Sequence, residues 1–192
     1  MYNLKTKTMK KYSILFLMLI QTSLSAFCQT SIEEPEFVGE ALLVTDSNKG
    51  IALDKEYGEI KSSVSLAKNS WNVLKLYVNG GAASCRAKSG EVKFIIRTKE
   101  NDTDPLTFIT IYRMKAKKKQ RSVDLAVDHS DNPFVSSKTY SKDKMKFQGK
   151  KYGNSSYIIT TKLDAGEYGI VIKNPNNVDE KSCIVSCIGI DE

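Results

Sequence analysis

One histidine, one tryptophan and four cysteines are all that 192 residues offer of the rarer functional side chains. The single histidine, His129, excludes the usual zinc ligand sets apart from cysteine-rich ones, and the scattered cysteines do not make one of those. His129 stands in Asp128-His129-Ser130-Asp131, but neighbours on an extended chain diverge, so the run is no catalytic triad and reads as a solvated turn. No apolar period of about 3.6 residues persists long enough for a helical bundle. No repeat at a spacing of roughly 20–50 residues is present, which excludes a propeller or solenoid. The longest greasy stretch, Ile14 to Ile20, is too short to cross about 30 Å of hydrocarbon.

That short stretch has another use. Lys5, Lys7, Lys10 and Lys11 precede it, and Gln21 to Ser25 leads from it into Ala26-Phe27-Cys28-Gln29. This is the layout of a secretory signal peptide over residues 1–28, cut before Gln29 or alternatively after Ala26. A lipid anchor on Cys28 is the less favoured alternative, because Phe27 is bulky where a lipoprotein signal needs a small residue. The expected protein is therefore exported, to the periplasm or beyond. The whole chain carries 29 Lys+Arg against 22 Asp+Glu; removing the four leader lysines leaves 25 against 22, or +3. So small a net charge argues against a global nucleic-acid binder.

Past a flexible lead-in over 29–36, short β-type runs dominate residues 37–192. Phe37 to Thr45 is apolar, Asp46 to Gly50 supplies turn chemistry, and Ile51 to Leu53 makes a short partner. Trp71 to Val78 runs into Asn79-Gly80-Gly81, a hairpin-turn signature. Glu91 to Arg97 alternates, Leu106 to Met114 is apolar on both faces and so central, and Ser122 to Val127 follows. Asp128 to Gly153 is lysine-rich and reads as a surface excursion. Ser156–Lys162, Glu167–Lys173 and Ser182–Ile190 close the chain. Ile60 to Asn69 is a weak helical candidate without a cap. The pattern predicts an all-β fold of about eight or nine strands in one β-sandwich.

Leu163-Asp164-Ala165-Gly166-Glu167-Tyr168 sharpens this expectation. Its Leu163, Gly166 and Tyr168 resemble the tyrosine corner of immunoglobulin-like and fibronectin type III sandwiches, where the hydroxyl bonds back to upstream backbone. The alternative is a hairpin with Tyr168 simply packed in the core. Lys151 to Tyr157, Leu163 to Gly169, Asn174-Pro175-Asn176, Val185 to Asp191 and the opening Glu34 to Glu40 together resemble a group of secreted bacterial proteins of unknown function. The resemblance implies a secreted β-sandwich and supplies no activity.

Candidate chemistry is sparse. Cys183 and Cys187, four apart on a strand, are about 13 Å apart and cannot bridge each other. Cys85 could pair with one of them, or all three could be buried thiols. Asn101-Asp102-Thr103-Asp104 offers loop oxygens to calcium but lacks the EF-hand spacing, so no metal or other cofactor is expected. No two carboxylates are singled out for hydrolysis. The densest signal is Arg113, Lys115, Lys117, Lys118, Lys119 and Arg121, six cations in nine residues. They could bind an anionic glycan, lipopolysaccharide phosphates or an acidic protein at the envelope, with Lys138, Lys142, Lys144, Lys146, Lys150 and Lys151 extending the patch. Equally, lysines at a hairpin tip blunt a sheet edge against aggregation. The expectation is a non-catalytic exported binding, adhesion or envelope module; polyanion or glycan binding through the basic hairpin is the alternative, and a hydrolase the weaker one.

Overall fold

The computed structural model describes residues 31–65, 71–132, 135–173 and 181–192, and side chains within these except 64, 65, 71, 128–132 and 135–138. The chain divides into Met1–Ile32 and Glu33–Glu192, and every described strand belongs to the second unit. Among the described residues there is no α-helix, only a 3-10 turn at Pro105–Thr107. None is long and apolar enough to cross a membrane.

The strands are β1 (Ala41–Val44), β2 (Gly50–Ala52), β3 (Asp54–Ser65), β4 (Trp71–Asn79), β5 (Arg86–Lys88), β6 (Gly90–Arg97) and β7 (Ile109–Lys117). They continue with β8 (Gln120–Asn132), β9 (Val135–Tyr140), β10 (Lys144–Met145), β11 (Gln148–Tyr152), β12 (Ser156–Leu163), β13 (Gly166–Ile172) and β14 (Ser182–Asp191). The all-β expectation holds. The open two-sheet sandwich does not describe the whole of it. One sheet is open, in the order β11-β12-β6-β1-β2. The other closes on itself: β7, β13, β14, β3, β4 and β8 pair in turn, and β8 pairs back to β7. A six-stranded barrel results, with β9 on β8, β10 on β7, and β5 parallel to the end of β14.

Alternation explains how sheet and barrel are both filled. On β13, Tyr168 and Ile170 face the open sheet, while Glu167, Gly169 and Val171 face the barrel lumen. On β14, Ile188 and Ile190 face the sheet, and Val185 and Cys187 the lumen. On β7, Ile109 and Ile111 turn outward and Met114 inward. This wall is buried on both faces, as the apolar run predicts, but its strand β7 begins at Ile109 and not at Leu106, which is exposed in the 3-10 turn Pro105–Thr107. Against its outer face pack Ala41, Leu43, Val92, Phe94, Ile96, Tyr157, Ile159 and Leu163 from the open sheet.

The barrel closes narrowly. β7 meets β8 over Lys115–Lys117 only. Beyond that the two part, and the link from β9 to β10 fills the gap: Ser141 N–H donates to Leu125 O and Arg113 N–H to Asp143 O.

Several local expectations change. The helical candidate Ile60 to Asn69 is strand as far as Ser65, because Ile60 pairs with Leu76 and Ser62 with Leu74; residues 66–70 lie outside the described set. The supposed excursion Asp128 to Gly153 contains the end of β8 and strands β9 to β11, since ladder pairing uses backbone and tolerates polar side chains at an edge. Asn79-Gly80-Gly81 does not turn a hairpin, for β4 pairs with β3 and β8 and not with β5. Residues 34–36 of the expected flexible lead-in are tied down: Pro35 is buried, and Arg97 Nη1 donates to Pro35 O and Glu36 O.

Candidate functional site

The basic run forms the β7–β8 hairpin, with Lys117 opposite Gln120 and Lys118-Lys119 as its two-residue connection. Lys115, Lys117, Lys118 and Lys119 are exposed. Lys115 Nζ lies 3.4 Å from Asp124, which is also 3.2 Å from Lys75. Burial acts to raise the Asp124 carboxyl, but the bonds and charges of Lys75 and Lys115 prevail and hold it below its ordinary range. Among the described residues no carboxylate forms an ion pair with Lys117, Lys118 or Lys119.

The two arginines of the run behave differently. The sequence pattern groups Arg121 with the binding lysines, and the structure contradicts this: it is 1% exposed, inside the barrel end. The physical reason is alternation. Arg121 shares the lumen-facing side of β8 with Val123, and a guanidinium placed there needs internal partners. Its Nε donates to Gly80 O and Nη2 to Asn79 O, while Nη1 lies 3.6 Å from Glu167 Oε2 without a hydrogen bond. Glu167 also accepts from Ala83 N–H at 2.8 Å and pairs with Arg86, which reaches Asp191 as well. Arg113 is exposed, yet its Nη2 donates to Ala165 O at 3.0 Å and so props the tyrosine corner.

The loop after β4 seals this end of the barrel. It passes directly beneath the hairpin: a Cβ on Gly81 would sit 2.6 Å from Lys117 O and 2.9 Å from Lys118 O, so only glycine fits. Loop, buried charges and hairpin form one braced unit with the lysines on its outer surface.

The other lysines stand on neighbouring elements, Lys142 and Lys144 on either side of Asp143, whose carbonyl accepts from Arg113 N–H. Lys144 is on β10, with its ammonium 5.7 Å from the Tyr140 ring centre, and Lys150 and Lys151 lie on the edge strand of the open sheet. Lys142, before β10, and Lys146, just after it, are both exposed, and the side chains of Lys138 and His129 lie outside the described set.

The tyrosine corner has its expected geometry. β12 belongs to the open sheet and β13 to the barrel, so Leu163 to Gly166 carries the chain between them. Leu163 and Tyr168 are fully buried, and the Tyr168 hydroxyl donates to Asp164 O at 2.8 Å. Gly166 supplies a φ of +155°.

The loop considered for calcium is occupied otherwise. Asn101 Nδ2 donates to Tyr152 O, Gly153 O and Ser156 O, and Asp104 caps the 3-10 turn through Leu106 N–H. Among the described residues no three or more His, Cys, Asp or Glu side chains are grouped so as to hold a metal ion. Cys85, Cys183 and Cys187 are free thiols. Cys187 is fully buried among the lumen residues, and that burial pushes its thiol up to about 11.

No family model, curated protein or solved structure matches the chain.

Proposed function

We propose that this is an exported, non-catalytic binding module of the cell envelope, which holds an anionic polymer against the β7–β8 hairpin. Acidic or sulfated glycan and lipopolysaccharide phosphates share the required chemistry. The observation that carries the reading is the set Lys117, Lys118 and Lys119, exposed and, among the described residues, without ion-pair partners on a braced tip. The competing role for such lysines, blunting a sheet edge, applies at most to β7, whose ladder with β13 ends at Met114; β8 at Gln120–Ser122 is paired on both sides, to β7 and β4, and Lys118 and Lys119 stand in the connection outside either ladder. The buried carboxylate Glu167 is neutralised by Arg121 and Arg86, which favours a structural role over acid–base work. The tyrosine corner, joining an open sheet to a barrel wall, supports an immunoglobulin-like relationship for the slab formed by those two layers.

The test is salt-dependent retention on heparin and on vesicles containing lipopolysaccharide. Each lysine near an anionic surface contributes about 1 kcal/mol, so replacing Lys117, Lys118 and Lys119 by Ala weakens binding roughly a hundredfold. The matched replacement of Lys146, Lys150 and Lys151 leaves most of it. Retention that ignores salt, or that survives the hairpin replacement, refutes the proposal.

A further inference from the structure

A second site lies at the other end of β12 from the tyrosine corner. A polar cleft of about 480 Å³ opens there, lined by Glu34, Arg97, Gly153, Asn154 and Ser155. That volume falls within the range of about 300–1,000 Å³ typical of small-ligand sites.

The cleft is held in shape before any ligand arrives. Its turn is fixed from below by Asn101 Nδ2, on the carbonyls of Tyr152, Gly153 and Ser156, and by Thr98, whose N–H and hydroxyl both donate to Ser155 O. The opposite wall is the strap Glu34–Glu36, pinned by Arg97 Nη1 and by the Ser156 hydroxyl donating to Glu34. Gly153, at φ +54°, lets the Glu34 carboxylate approach the turn closely. Arg97 lines the cleft, but its Nε is shielded from solvent, without a hydrogen-bond partner among the described residues, and so does not face the opening. Through the pairings Tyr152↔Ser156 and Ser156↔Arg97, the half-buried Tyr152 stands in one cross-strand row with them, next to the turn but outside the cleft's lining.

The lining is mixed in function and balanced in charge. Glu34 accepts, Arg97 donates, and Asn154 and Ser155 can do both. A phosphate or carboxylate would meet the Glu34 carboxylate, and an ammonium would meet the Arg97 guanidinium. Sugar hydroxyls, each donor and acceptor, match the set without a charge conflict. We propose that this cleft is a binding site for a neutral sugar residue of a glycan, independent of the polyanion-binding hairpin.

The test is an NMR titration of the exported chain with maltotriose, cellotriose, mannotriose and chitotriose, with inorganic phosphate in parallel. At least one sugar is expected to shift the amides of Gly153, Asn154 and Ser155, and phosphate to leave them in place. Asn154→Ala, on an exposed turn, weakens that sugar about tenfold, the scale of one lost hydrogen bond. Glu34→Gln keeps an acceptor for Ser156 and also weakens it, whereas the triple hairpin variant binds it normally. Failure of all four sugars to move these amides, movement by phosphate instead, or undiminished affinity in both cleft variants overturns the proposal. Loss of heparin retention bears only on the hairpin, so the two readings fail separately.

Discussion

Between the open sheet and the barrel wall lie Phe94, Ile96, Tyr157, Ile159, Tyr168, Ile170 and Ile188, and the polar atoms among them are two tyrosine hydroxyls, each bonded to backbone. Inside the barrel lie Leu76, Val78, Met114, Val123, Val185 and Cys187, but the lumen ends in Arg121 and Glu167. The slab between two sheets is filled by apolar alternation, with the buried Thr161 hydroxyl donating to Lys146 O. A closed barrel must also be sealed at its end, and here the seal is a buried ion pair propped by loop carbonyls. The two interiors should therefore fail in different ways.

Glu167→Ala carries the largest expected effect. It leaves the Arg121 guanidinium buried with no counter-charge, which costs about 3–5 kcal/mol. Phe94→Ala in the slab also costs about 3–5 kcal/mol, but through a cavity. Denaturant midpoints of the single variants alone do not separate the mechanisms; a second substitution does. Combining Arg121→Met with Glu167→Leu removes both charges and restores much of the loss, because an ion pair replaced by packed apolar side chains is often neutral. No change of charge rescues Phe94→Ala. A double variant as unstable as Glu167→Ala would show that the end of the barrel is not held by that pair.

The next effect probes how tightly the lumen is packed. A Cβ on Gly58 would lie 2.6 Å from Leu76 Cδ1 and 2.8 Å from Val185 Cγ2, with Cys183 Sγ at 3.3 Å. Gly58→Ala therefore overfills the barrel and costs about 1–3 kcal/mol, again read from the denaturant midpoint. A near-neutral result would mean that the lumen, unlike the slab, has room to give.

The same contrast separates what sequence discloses from what it does not. Strands of the slab are legible because burial on one face prints a period of two: Val92, Phe94 and Ile96 on β6 are all buried. The corner at Leu163 to Tyr168 is legible because turn, glycine and tyrosine lie within six residues. Barrel closure is not, since it depends on β7 meeting β8 while β8 also meets β4, a matter of register between distant segments. Arg121 is hidden for a related reason. In a run of alternating and adjacent cations nothing distinguishes the inward position, and its partner Glu167 stands 46 residues later. The cleft joins Glu34 to Asn154 across most of the chain, and no local motif announces it. Strands β9 to β11 pair through backbone while carrying polar side chains, so their hydrophobic signal is weak.

The smallest effect tests the junction between the two regions. Tyr168 packs its ring in the slab, and its hydroxyl donates to Asp164 O across the chain's passage from open sheet to barrel. Tyr168→Phe keeps the ring and strands a carbonyl, so thermal or chemical unfolding should show a loss of about 1 kcal/mol. The variant also changes the alkaline limb. Burial, opposed by the Arg113 charge and reinforced by Asp164, raises the Tyr168 phenol above its ordinary value near 10. The unfolded chain thus gives up this proton first. The tyrosine's contribution is complete below about pH 10 and is lost as pH rises through the folded-state value. Tyr168→Phe should accordingly lose stability at neutral pH and fall less steeply than the parent above about pH 10. An unchanged neutral stability would leave ring packing and Gly166 to hold the corner, and the slab and barrel would then be joined without any contribution from that hydroxyl.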